Sequence, residues 1–270
     1  MSSVLVLVPL LALLAGVYVY RFNGRRQFLH LDAIQFFYTF VLSPIFFVWG
    51  KSVLHLIMGA NLDMQLNSGA LFLIDTAFSL MFMYVYAFVV MHSLTNTINQ
   101  KVSVDPLYDI FQHLEYIHLW ISHLGIFIGA LCIVAVVGLL NAAFPLPFSI
   151  TTSGMYLTVV ASFWVGMMAY LGIIPLSDPM QEGKHFGRIM KLTFGILFLA
   201  HVLVYFALDV RFTGDKVIFW MSSFAFAGMT GIAAVVRKSR RLQASVDVVA
   251  DVLKRKNWDF RLQLFKFSQK

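Results

Sequence analysis

Residues 31–59, LDAIQFFYTFVLSPIFFVWGKSVLHLIMG, and residues 70–92, ALFLIDTAFSLMFMYVYAFVVMH, decide how the whole chain reads. Each is a mainly apolar run at least as long as the roughly 20 residues an α-helix needs to cross a hydrocarbon layer about 30 Å thick. Well inside them lie Lys51 and Asp75. An ionised side chain within lipid costs about 2.5–3.5 kcal/mol on insertion scales unless it is paired or wet. If the first run travels to one face and the second returns, Lys51 stands roughly eight residues before the turn and Asp75 roughly six after it, which at about 1.5 Å per residue is one level to within a helical turn. This spacing predicts an ion pair between adjacent antiparallel helices. His55, Thr76 and Ser79 are placed to complete its hydrogen bonds, and Pro44, which has no backbone donor, is placed to bend the helix below it. The pair has two readings. In one it fixes helix register and orientation; in the other Asp75 alternates between Lys51 and a transported ion or proton.

Working outward, runs of the same kind recur at 3–20, 118–142, 149–175, 190–210 and 217–236, so the expected fold is all-α, a polytopic transmembrane bundle of about seven spans. Composition agrees. Of 270 residues, 60% are hydrophobic and 12% charged, against about 45–50% and about 25% in a soluble domain. A water-soluble fold of this size has too little polar surface to cover that much apolar material. Residues 1–236 form the bundle and 237–270 a basic, amphipathic tail. The first run has no basic residue before it and Arg21, Arg25 and Arg26 after it, the reverse of a secretory signal, so it is expected to be retained with its N-terminus outside. The alternative is that residues 1–20 are a cleaved or peripheral segment, leaving six spans.

Alternating the loops from that start puts Arg21, Arg25, Arg26, Lys101, Lys184, Arg188, Lys191 and the ten basic residues from Arg237 onward on the cytoplasmic side. Only Arg211 and Lys216 fall opposite, and Lys51 stays inside a span. This asymmetry predicts a cytoplasmic C-terminus, fits a bacterial or archaeal cytoplasmic membrane, and is shared by organelle membranes. It also accounts for the net charge of +7 through anionic headgroups, so nucleic acid is not an expected partner. Two segments lie outside the spans. Asp105 and Pro106 read as a helix start, with Leu107, Ile110, Phe111, Leu114 and Ile117 forming the apolar stripe of a surface helix. In the tail, Val246, Val249, Ala250 and Leu253 keep helical spacing, whereas Trp258, Phe260, Leu262 and Leu264 alternate like a strand.

Small residues mark helix interfaces in lipid, where hydrophobic contact between helices gains little. Gly125 and Gly129 form a GxxxG pair, and Ser223, Ala227 and Gly231 repeat every four residues. Among eight histidines, His30, His92, His113, His118 and His185 fall at or beyond expected cytoplasmic span ends. His123 and His201 lie within spans at unequal depths. His92 with His123 is therefore the best-matched pair for a b-type haem, while His201 and Asp209, eight positions apart on one face, read as hydrogen-bonding groups of the bundle. Asp109 and His113 are four apart on the surface helix, the spacing of a metal site or of a solvated face. Cys132 is the single cysteine, which removes internal disulfides and cysteine-based zinc sites. There is no P-loop, HExxH, paired CxxC or GxSxG motif, and residues 217–236 lack the lysine through which microbial rhodopsins carry retinal.

Three functional readings follow. The first is a non-catalytic subunit or scaffold of a larger membrane assembly, partnered by other membrane subunits or by itself. Next comes a transporter or channel using Lys51 and Asp75. The third is a haem- or quinone-linked redox protein, in which the aromatic residues, 16% of the chain, line a cleft instead of forming lipid-facing packing and interfacial belts.

Overall fold

The computed structural model describes residues 27–28, 31–59, 68–102, 121–176 and 183–238, together with 8, 11–12, 14–16 and 18–19. The protein is a polytopic helical membrane bundle. Among the described residues, six helices are long and apolar enough to cross a membrane. They are α1 (Ala33–Gly59), α2 (Ser68–Val102), α3 (His123–Ala143), α4 (Thr152–Leu176), α5 (Gly183–Leu208) and α6 (Val217–Lys238). A two-residue antiparallel pair, Gln27–Phe28 with Leu31–Asp32, precedes α1. Most of the run at 3–20 falls outside the described residues. Its described positions are helical, and Gly16 lies against the rings of Phe37 and Tyr38 of α1. The surface-helix segment 103–120, with Asp109 and His113, and the tail beyond Lys238 also lie outside them.

Helix ends depart from the apolar runs in a consistent way. α2 continues past His92 to Val102, and α5 begins at Gly183, before the apolar run opens at 190. Apolar length reports where hydrocarbon begins and ends, whereas the backbone goes on satisfying its own hydrogen bonds into the headgroups.

The centre of the bundle is α6. In its spanning window 44% of residues are buried, against 6% for α2. α6 runs parallel to α4 at backbone contact: a Cβ on Gly166 would meet the carbonyl of Ala225 at 2.0 Å, and one on Gly228 the carbonyl of Phe163 at 2.3 Å. Only glycine permits that approach. Of the expected stripe of Ser223, Ala227 and Gly231, Ser223 is buried but Gly231 does not make this approach. Among the described residues nothing lies within 4 Å of a Cβ on Gly231, and the close approach is made one turn back by Gly228. Gly125 and Gly129 do face a neighbour, Phe88 and Val85 of α2. Around α6 pack Leu131 and Ala135 of α3, Tyr170 of α4 and Phe186, Met190 and Phe194 of α5. A second core joins Leu54 and Ile57 of α1 to Phe78 and Phe82 of α2 and Val137 of α3.

Pro44 acts through the backbone before it. Tyr38–Leu42 is a π-helical turn, in which the Ser43 N–H donates to the Tyr38 carbonyl. The Ser43 hydroxyl donates to the same oxygen at 2.8 Å. The wider turn makes room for the proline ring.

Candidate functional site

Three polar centres interrupt the apolar bundle. One lies on the outer face of α1 and α2, toward the end of the molecule shared by the C-termini of α1, α3 and α5. Lys51 Nζ donates to Asp75 Oδ1 and, at 3.0 Å, to Ser79 Oγ. Ser79 in turn donates to the Asp75 backbone carbonyl at 2.8 Å, so its hydroxyl is oriented to accept from the lysine. His55, one turn beyond Lys51, brings Nε2 to 3.7 Å from Asp75 Oδ1, close enough for charge attraction when the ring is protonated but too long for a hydrogen bond. Thr76 is half-buried beside them. The pair meets because Gly50 lets the Phe78 ring approach α1 to 3.3 Å from a would-be Cβ, which draws the helices together on the inner side and leaves the charges outside. Side-chain exposure is 19% for Lys51, 41% for Asp75 and 70% for His55.

A second centre ties the bundle together at the same end. Asn141, fully buried, accepts from the backbone N–H groups of Ile218 and Phe219 at 3.0 and 3.1 Å and donates to the carbonyls of Phe144 and Asp215 at 3.1 and 3.0 Å. It caps the first turn of α6 from another helix, and Lys216 Nζ donates to the Ala142 carbonyl at 2.8 Å beside it. Deeper in, His201 Nδ1 donates to the Leu197 carbonyl at 2.8 Å, and its Nε2 pairs with Ser222 Oγ at 2.9 Å, a hydroxyl that also reaches the Phe219 carbonyl at 3.0 Å. The ring stacks on Phe219, and a Cβ on Gly138 would sit 2.0 Å from Ser222 Oγ. A hydroxyl held by an imidazole is the beginning of a nucleophilic pair. Here both groups are buried with glycine backbone against the oxygen, and no room remains for a substrate. The pair latches α5 to α6.

Asp209 does not join His201. α5 ends at Leu208, and Asp209 turns the chain with a left-handed φ of 45°, exposed beyond the helix. The single-face reading fails because the helix stops one residue too early.

The third centre is at the opposite end. Thr39 and Ser93 hydroxyls meet at 2.8 Å between α1 and α2. The rings of His92 and His123 lie 4.7 Å apart, centre to centre, and Ser122 Oγ is 3.4 Å from His92 Nδ1. That spacing does not suit a shared haem. With metal–nitrogen bonds of about 2 Å and roughly 1 Å more to each ring centre, imidazoles on opposite sides of one iron stand about 6 Å apart. Among the described residues, no three His, Cys, Asp or Glu side chains converge.

Asn141, Ser222 and Gly138 were not singled out from sequence. Asn141 carries the available signal, a carboxamide inside an apolar run, but it sits near the expected end of that run, where polarity needs no partner. Comparison with protein-family models, curated proteins and solved structures finds no match to this chain.

Proposed function

We propose that this integral membrane protein is a non-catalytic subunit of a larger membrane assembly, docked through the outer face of α1 and α2. The observation that carries this reading is the exposure of Asp75 and His55. Lys51 stands eight residues before the end of α1 at Gly59, about 12 Å along the helix, so the cluster lies at spanning depth and not in the headgroups. Lys51 satisfies part of Asp75, yet the remaining carboxylate and imidazole surface faces outward, where hydrocarbon would not solvate it. A neighbouring transmembrane helix with polar side chains, from another subunit or a second copy, meets that demand. Described basic residues Lys101, Lys184, Arg188, Lys191, Arg237 and Lys238 gather at the end opposite Arg211 and Lys216, which supports a cytoplasmic, anionic-lipid-facing surface there. Native mass spectrometry after mild extraction tests the proposal. The expected result is a complex that dissociates on Asp75→Asn or His55→Ala; a monomer with no bound chain overturns it.

A second reading is favoured by the position of His55. Asp75 has two nitrogen-bearing neighbours, the Lys51 ammonium and the His55 imidazole at 3.7 Å, the arrangement of a carboxylate that exchanges partners during ion or proton transfer. Under this reading proteoliposomes show a cation flux that Asp75→Asn abolishes. Flux unchanged by the substitution, or none from the wild type, removes it.

A further inference from the structure

We propose that the recess at the ends of α3 and α5 binds a zwitterion carrying a phosphate and a primary ammonium, the headgroup chemistry of an amino-phospholipid. The proposal does not rest on the Lys51 cluster, which lies on the face of α1 and α2. The recess has a volume of about 570 Å³, and its lining includes Ala142 of α3, Leu208 of α5 and, in the connection to α6, Asp209, Arg211, Asp215 and Lys216. Lys51 apart, Arg211 and Lys216 are the described basic residues toward this end of the bundle. Both line the one recess, together with two carboxylates, yet among the described residues none of the four is in an ion pair. Lys216 Nζ donates to the Ala142 carbonyl at 2.8 Å, which occupies one of the three donors of its ammonium.

The backbone holds these charges apart. Trp220 Nε1 donates to the Arg211 carbonyl at 3.1 Å, and the Phe212 ring packs on Trp220 and Tyr156. The Asp215 carbonyl accepts from Asn141 Nδ2 at 3.0 Å and from the Leu146 N–H at 2.9 Å. Asp209 is set by its left-handed turn. Charges spread round a recess on a tethered backbone are prepared for a ligand and not for one another. Two cations and two carboxylates leave no net charge, so a simple anion or cation meets repulsion as well as attraction, whereas a zwitterion satisfies both signs. Arg211 and Lys216 suit the phosphate. Asp209, Asp215 and the carbonyl ends of α3 and α5, which carry the negative end of the helix dipole, suit the ammonium. The lining falls where the spans end, at headgroup depth, and Leu208, 52% exposed, gives it an apolar lip.

Native mass spectrometry of the full-length chain, released from nanodiscs of equal parts phosphatidylethanolamine and phosphatidylcholine, tests the site. The expected result is preferential retention of phosphatidylethanolamine. Arg211→Gln should lower retention of both lipids about tenfold. Asp209→Asn, whose side chain tolerates the left-handed turn, should instead erase the preference over phosphatidylcholine, because a quaternary ammonium has no N–H to donate. A free source of the same chemistry gives a different pattern: phosphoethanolamine alone raises the Tm of the wild type in detergent, Arg211→Gln removes the shift, and neither lipid is preferred. Equal retention of the two lipids with no shift from phosphoethanolamine overturns the proposal, as does a lipid preference or a shift that survives both substitutions.

Discussion

Asn141 is the residue on which one end of the bundle turns. Its single carboxamide serves two backbone donors of α6 and two carbonyls from the flanking connections, all out of water. Asn141→Ala leaves those four groups without it, and a buried unsatisfied group costs about 1–3 kcal/mol. A loss of at least about 2 kcal/mol is expected, read as a lower Tm in detergent, and Asn141→Asp should recover only the two accepted bonds. The Lys51 and Asp75 pair behaves differently because each partner alone is the problem. Replacing Asp75 by Asn strands an ammonium at spanning depth and should destabilise by about 1–3 kcal/mol, whereas Lys51→Met with Asp75→Asn should recover much of the loss. A double variant no more stable than Asp75→Asn alone would show that the lysine is solvated by something other than this carboxylate. At this scale Lys51, Asp75 and Ser79 were legible from the sequence, because an ionised group in an apolar run announces its need for a partner. Serines and asparagines announce less: Ser222 and Asn141 acquire their roles only from the helices beside them.

Among the elements, α4 and α6 show what a small residue does. The two helices touch through Gly166 and Gly228, where a side chain would enter the neighbouring carbonyl. Gly228→Ala is expected to push the helices apart and lower the Tm, with Gly228→Leu worse. Gly231→Ala, at a position with nothing within 4 Å among the described residues, should be neutral or stabilise by up to about 1 kcal/mol, since alanine loses less backbone entropy than glycine in a helix. The opposite ranking would mean that Gly231, not Gly228, lines the contact. Four-residue spacing pointed to 223, 227 and 231, because periodicity identifies a stripe of small residues without saying which of its members comes to backbone contact. The π-helical turn at Tyr38–Leu42 belongs to the same scale. Pro44 signalled a disturbance; its form, a widened turn closed by Ser43, depends on how the local backbone resolves it.

For the molecule as a whole, the alternating helices place Arg211 and Lys216 at one end and the larger basic set at the other. With Cys132 replaced by alanine, Thr213→Cys is expected to react with an impermeant thiol reagent from outside intact cells, and Lys238→Cys only after permeabilisation. The reverse pattern inverts the orientation. Chemistry of the residues alone established the solvent: 60% hydrophobic content, spanning runs and charge that, Lys51 and Asp75 apart, gathers toward their ends leave lipid as the medium and helices as the spanning element. Those statements are local, because burial in lipid acts on each segment separately. Which helix is central, which glycines touch, what Asn141 and His201 bind and how closely His92 approaches His123 were decided by tertiary structure. Lipid makes every apolar face nearly equivalent, so only shape and a few polar contacts select among the ways of packing them.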